Sequence, residues 1–247
     1  MNLKVKNLTK SFENKDVFKD ISFELEKGKI TVLVGPNGSG KTTLYNVITG
    51  FLKEDSGDIL LNGESIIELF PHKRNIKGIG RTFQNMRLIG EMTVLENVLF
   101  SFQNQEGEDW WNVIIPSKSV SKEQNANRER AIEIITGCFI NDIIESKASE
   151  ISYGQQKLLN LACCIANDAK VFLLDEPVAG VNPVYREKLE LIIKKLKQDK
   201  ALLIIEHNTD FIESVADEII FLNNGKMIKF KDYKTMRKNE CVQEAYI

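Results

Sequence analysis

Apolar residues along this chain fall into two rhythms. At Leu3–Leu8 and Ile21–Leu25 they alternate with polar ones, the period of a strand with one wet face. At Ile30–Val34, Val171–Leu174 and Leu202–Ile205 the apolar run is short and continuous, as in a strand buried on both faces of a parallel sheet. Gly57–Leu61 reads as another strand, closed by the tight-turn pair Asn62-Gly63. Elsewhere the spacing stretches to three and four. Leu189, Ile192, Ile193 and Leu196 put one apolar stripe on a helix over Pro183–Lys197, with Pro183 in its first turn. Thr42–Thr49 is predicted to be the helix that follows the Ile30–Val34 strand. Strands alternating with amphipathic helices imply an α/β architecture with a largely parallel sheet.

The middle of the chain departs from that alternation. Residues 93–166 are helical in pattern and more polar, with a loop expected over Asp109–Ser121, where Pro116 and several serines fall. They read as a helical lobe inserted into a sheet-containing lobe made of residues 1–92 and 167–247. No internal repeat is visible, and the lysine-rich stretch Gly225–Asn239 reads as a solvated surface.

At 247 residues the chain is long enough to bury a proper core. Its 33 basic and 35 acidic side chains leave a net charge of −2, which offers nucleic acid or anionic lipid no general attraction. No apolar run approaches the ~18 residues of a bilayer span, and MNLKVKNLTK lacks the apolar core of a signal peptide. A cytoplasmic protein is expected. Cys138, Cys163, Cys164 and Cys241 show no paired C-x-x-C spacing, and only His72 and His207 could join them, so a zinc site or disulfide framework is not expected. Cys163 and Cys164 lie in an apolar helical stretch and read as small buried hydrophobes.

Two segments carry chemistry. Gly35-Pro36-Asn37-Gly38-Ser39-Gly40-Lys41-Thr42 matches G-x-x-x-x-G-K-[ST], and it follows an apolar strand and opens a helix. Glycines let consecutive backbone N–H groups curl around a phosphate, and the helix N-terminus adds partial positive charge. Lys41 can bridge the outer phosphates, the Thr42 hydroxyl can ligate Mg²⁺, and Thr43 extends the cradle. The second segment is the strand Val171–Leu174, which stops in Asp175-Glu176. Ligands of parallel sheets bind beyond the carboxyl ends of the strands, so Asp175 is expected to face the same pocket as Lys41 and to hold Mg²⁺. Glu176 is placed to polarise the attacking water as a general base.

Ile151-Ser152-Tyr153-Gly154-Gln155-Gln156 resembles the LSGGQ signature of the ABC ATPases, in its LSYGQQ form. Ser152 is also a good N-cap for the helix that follows. The resemblance covers nearly the whole chain. It implies a single P-loop ATPase domain with an N-terminal antiparallel β portion, and with the signature in the inserted helical subdomain. It also implies roles for further residues. Phe12 stands where an aromatic stacks on adenine. Gln84, in GRTFQN, stands where a glutamine ligates Mg²⁺ and touches the water. His207 stands where a switch histidine contacts the γ-phosphate. Ser152, Gly154 and Gln155 stand where the signature binds the γ-phosphate held by a partner subunit. Ala179–Pro183 corresponds to the loop that crosses the dimer interface, although it departs from the common SALD form.

Within that family GIGRTFQNMRL, MTVLENVL, ISYGQQKLL, DEPVAGVNP and VQEAYI look closest to the ATPases of branched-chain and hydrophobic amino-acid importers. Urea importers and the lipopolysaccharide-export ATPase share much of the pattern. The resemblance therefore implies two copies, or this chain and a homologous subunit, closing around two ATP molecules with Mg²⁺. It also implies docking on integral membrane permease subunits at the inner face of the cell membrane, with no contact with the transported substrate and no nucleic-acid partner. A lipopolysaccharide-type exporter ATPase and a non-transport ABC ATPase are the alternatives. Trp110-Trp111 matches no motif.

Overall fold

The structure is a computed structural model and describes residues 2–13, 15–82, 86, 88–103 and 118–245. Gln84, Trp110, Trp111 and the last two residues of VQEAYI lie outside them, as do residues 109–117 of the predicted loop. From Lys118 that loop is already helix. The chain divides into two compact units: Met1–Gln84, Lys170–Ala179 and Ile193–Ile247 form one, and Asn85–Ala169 with Gly180–Ile192 forms the other.

Among its described residues the first unit contains two sheets. The antiparallel one has the order β2 (Lys15–Leu25), β1 (Leu3–Phe12), β4 (Ser56–Leu61), β5 (Glu64–Ser65). The two N-terminal strands run further than alternation alone suggests, and register shifts along their pairing absorb the irregular stretch between Val5 and Ser11. The second sheet is parallel except at one edge. Its order is β10 (Lys226–Phe230), β9 (Glu218–Asn223), β3 (Ile30–Val34), β8 (Ala201–Ile205), β7 (Val171–Asp175), β6 (Ile79–Arg81). Every residue of β3, β7 and β8 is buried, as their unbroken apolar runs require. The core lies where both sheets meet helix α1 (Lys41–Ile48). Leu3, Val5, Phe18 and Ile59 contribute from the first sheet, Leu33, Leu173 and Leu203 from the second, and Leu44 and Tyr45 from the helix.

Tyr45 and Arg74 fix that helix. The Tyr45 hydroxyl is fully buried and donates to the carbonyls of Leu203 (2.6 Å) and Leu174 (3.1 Å). Arg74, on α2 (Pro71–Ile76), is 2% exposed and donates to the carbonyls of Val47 and Ile48, which end α1, and to those of Leu69 and Ile67. A guanidinium thus closes the C-terminus of the helix that begins at the glycine-rich loop.

The lysine-rich stretch forms β10 and a short helix, Tyr233–Arg237. Lys226, Lys229, Lys231, Lys234 and Lys238 face solvent, while Phe230 and Met236 turn inward.

In the second unit α3 (Val94–Phe100), α4 (Lys118–Gly137) and α5 (Tyr153–Ala166) pack together. Thr93 and Glu96 form a capping box at the start of α3, and the buried Asn97 side chain ties the loop before it through Ile89, Met92 and Thr93. Helix α6 (Pro183–Lys197) has the bounds its apolar stripe predicts.

Candidate functional site

Three adjacent strands end at one level. Leu33 of β3 pairs with Ile205 of β8, and Ile205 pairs with Asp175 of β7. The glycine-rich loop, His207 and Glu176 therefore leave the sheet side by side, beyond its carboxyl edge.

The loop needs its glycines for two separate reasons. Gly40 has φ +100, and a Cβ there would stand 2.6 Å from Val17 Cγ1. A Cβ on Gly35 would stand 2.2 Å from the carbonyl oxygen of Leu222. Lys41 is buried, and its ammonium folds back to donate to the carbonyls of Gly35 (2.7 Å) and Pro36 (2.9 Å). Burial lowers its pKa, and Glu176 and Asp175 oppose that shift. The Ser39 hydroxyl is buried and has no hydrogen-bond partner among the described residues. An orphaned donor beside a lysine that bonds to carbonyls of its own loop fits an incoming phosphate. Asn37, Gly38 and Thr42 are exposed, and Thr43 is half-buried.

A cleft of about 650 Å³ runs beside the loop, lined by Phe12, Lys15, Asp16, Val17, residues 36–39 and residues 223–225. Phe12 is 49% exposed, and Lys10 Nζ lies 5.3 Å from its ring centre. An exposed aromatic at the wall of such a cleft can stack on a planar ring.

The acidic pair divides into a buried member and a more exposed one. Asp175 is buried; its N–H donates to Thr82 Oγ1 (3.1 Å), and its carboxylate lies 3.6 Å from Arg81 Nη2. Glu176 has φ +46, a left-handed conformation that costs a residue with a Cβ of order 1 kcal/mol. Its N–H is held by the Ile205 carbonyl (2.9 Å), and its carboxylate lies 3.8 Å from His207 Nε2. Glu206 supports both. Its buried carboxylate accepts from the N–H groups of His207 (2.7 Å), Asn208 (2.9 Å) and Val178 (3.1 Å), which fixes the turn that carries His207.

Thr42 and Asp175 offer the hard oxygen donors that magnesium prefers. No group of three His, Cys, Asp or Glu side chains among the described residues could hold a metal by itself. Gln84 lies outside the described residues.

In the second unit Ser152 caps α5 in a reciprocal box with Gln155: Ser152 N–H donates to Gln155 Oε1 (2.9 Å), and Gln155 N–H reaches Ser152 Oγ (3.4 Å). Gly154 is closed off by α6, since a Cβ there would stand 2.5 Å from Tyr185 Cδ2. A helix N-terminus capped in this way can still present N–H groups to an anion.

Three supporting residues escape sequence reasoning: Arg81, Glu206 and Tyr45. Arg81 and Glu206 each stand beside a recognisable motif, but a charge beside a motif is a weak signal until its partner is known.

The family model described as "ABC transporter" matches residues 18–179. A protein of Archaeoglobus fulgidus, named a probable branched-chain amino acid transport ATP-binding protein LivG, is 35% identical over 246 residues, which covers 99% of this chain and 95% of that one. The crystal structure of an ATP-binding cassette of an ABC transporter in its ADP conformation superposes with a TM-score of 0.85 at 34% identity, covering 100% and 98% of the two chains. A dimeric ATP-binding cassette in a post-hydrolysis state, bound to ADP and Pi, gives 0.76 at 25% identity, covering 93% and 98%.

Proposed function

The chain belongs to the ABC transporter ATP-binding family, and from that premise we propose that it hydrolyses ATP to drive the import of branched-chain or other hydrophobic amino acids. The observation that carries the reading is the level alignment of the phosphate loop, Glu176 and His207 on three neighbouring strands. Adenine stacks on Phe12 in the cleft, and the phosphates displace Lys41 from the carbonyls it now holds. Ser39 gains the partner it lacks. Glu176 takes the proton of the attacking water. The left-handed backbone at Glu176, anchored to Ile205, keeps its carboxylate at the mouth of the site. His207, on the turn fixed by Glu206, orients that carboxylate or the terminal phosphate. Magnesium held by Thr42 and Asp175 would supply charge neutralisation at the phosphates.

Ser152, Gly154 and Gln155 serve the nucleotide of a second subunit, either another copy or a homologous chain. Two subunits then close around two nucleotides, and integral membrane permeases turn closure into transport. On this reading the protein sits on the cytoplasmic face of the membrane through those permeases, and the transported molecule never touches it.

Glu176→Gln tests the chemistry. Turnover is expected to fall by about 10²–10⁴-fold, the usual worth of a general base. ATP binding should persist, and a dimer that forms only with ATP should appear on size-exclusion chromatography. Hydrolysis at the wild-type rate would refute the role of Glu176. Co-purification with permease subunits, and ATPase activity that rises when a loaded amino-acid-binding protein is added, tests the import reading.

A further inference from the structure

Arg81 pairs with Asp175, and the pair is deeply buried, with the two side chains 6% and 7% exposed. The guanidinium is held from several sides. Nη1 donates to Asn46 Oδ1 (2.6 Å) of α1 and reaches Oγ1 of Thr49 (3.3 Å), the residue that caps α1 at its C-terminus. Cζ lies 5.4 Å from the centre of the Tyr45 ring, and that tyrosine is itself pinned by two carbonyls. Arg81 is thus tied to the helix that carries Lys41 and Thr42.

A buried carboxylate demands a positive partner. In a site built to receive a metal with its nucleotide, an unpaired Asp175 would find that partner in any free divalent cation. We propose that Arg81 is the resident counter-ion of Asp175, and that by occupying this role it makes divalent-cation binding depend on nucleotide phosphates. The proposal rests on the reading of Asp175 as the metal-side carboxylate.

Mn²⁺ binding to the full chain, followed by electron paramagnetic resonance with and without ADP, tests it on the wild type, Arg81→Gln and Arg81→Lys. Without nucleotide, Arg81→Gln should bind Mn²⁺ at least about tenfold tighter than the wild type, a change worth ~1.4 kcal/mol. MnCl₂ should raise its unfolding temperature and should leave that of the wild type unchanged. Arg81→Lys keeps the charge and should behave as the wild type does. Wild-type Mn²⁺ affinity in Arg81→Gln overturns the proposal, and so does an equal gain in Arg81→Lys. If Arg81→Gln does not fold, MnCl₂ should restore it, and failure to do so also overturns the proposal. Asp175→Asn separates the two claims. If ADP-dependent Mn²⁺ binding is unchanged in that variant, the metal role of Asp175 falls and takes the proposal with it. An unaltered Arg81→Gln sinks the role of Arg81 alone.

Discussion

Gly154→Ala gives a prediction whose sign depends on one neighbour. Gly154 sits in the first turn of α5, and helical alanine is ordinarily favoured over glycine by ~1 kcal/mol. Here the new Cβ would stand 2.5 Å from Tyr185 Cδ2, 2.7 Å from Cγ and 3.1 Å from Cβ. Turning the ring aside relieves the first contact, but Tyr185 Cβ moves only with its backbone. That backbone is tied by the Tyr185 N–H to Asn182 Oδ1 (3.1 Å). Overpacking of this kind costs ~1–3 kcal/mol. Gly154→Ala alone should therefore be neutral to destabilising, by up to about 2 kcal/mol once the helix gain is subtracted. In a Tyr185→Ala background only the 3.1 Å contact remains, and the same substitution should be neutral or stabilising. The double-mutant cycle, measured by urea unfolding, should give a coupling of ~1–3 kcal/mol. Additivity within ~0.5 kcal/mol would refute the claim that Tyr185 excludes a side chain at Gly154. ATP-dependent dimerisation measured on the same four proteins separates packing from anion binding. If glycine is needed only for packing, dimerisation returns in the double variant.

Other consequences follow from the geometry. Phe12→Ala should weaken ATP binding by about 10–100-fold in a fluorescent-nucleotide titration, the usual worth of stacking on an aromatic; unchanged affinity would remove Phe12 from the adenine site. Arg74→Ala strips a buried donor from four carbonyls and should cost ~2–4 kcal/mol, or roughly 5–10 °C in unfolding temperature, by calorimetry. Burial pushes the thiols of Cys163 and Cys164 up to about 11 and about 12. Iodoacetamide at pH 8 should therefore label the exposed Cys241 and spare both until the protein unfolds, as mass spectrometry of the digested protein would show.

Legibility followed locality. The strand at Ile30–Val34, the loop after it and the acidic end of β7 could be read because each is one contiguous segment whose residues need one another at fixed spacing. Helix α6 could be read from its stripe alone. Strands β6 and β10 could not. β6 spans only Ile79–Arg81, and β10 carries lysines at its exposed positions, so neither shows a strand pattern without its neighbours. The lysine-rich stretch was half legible: its charges are solvated as their composition suggests, but Phe230 and Met236 hold it to the unit.

The groups that could carry the chemistry are legible in short segments of the chain. They are a loop that can wrap a phosphate, a lysine and hydroxyls within it, two carboxylates at the end of an apolar run, and a capped helix with a signature turn. Those follow from bond geometry and spacing over a few residues. Which charges meet depends on the folded sheet. Sheet register sets Leu33, Ile205 and Asp175 level, Arg81 reaches Asp175 from another strand, and Glu206 fixes the turn of His207. Pairings of that kind depend on strand order and burial, and residues far apart in the chain acquire them only when the sheet forms.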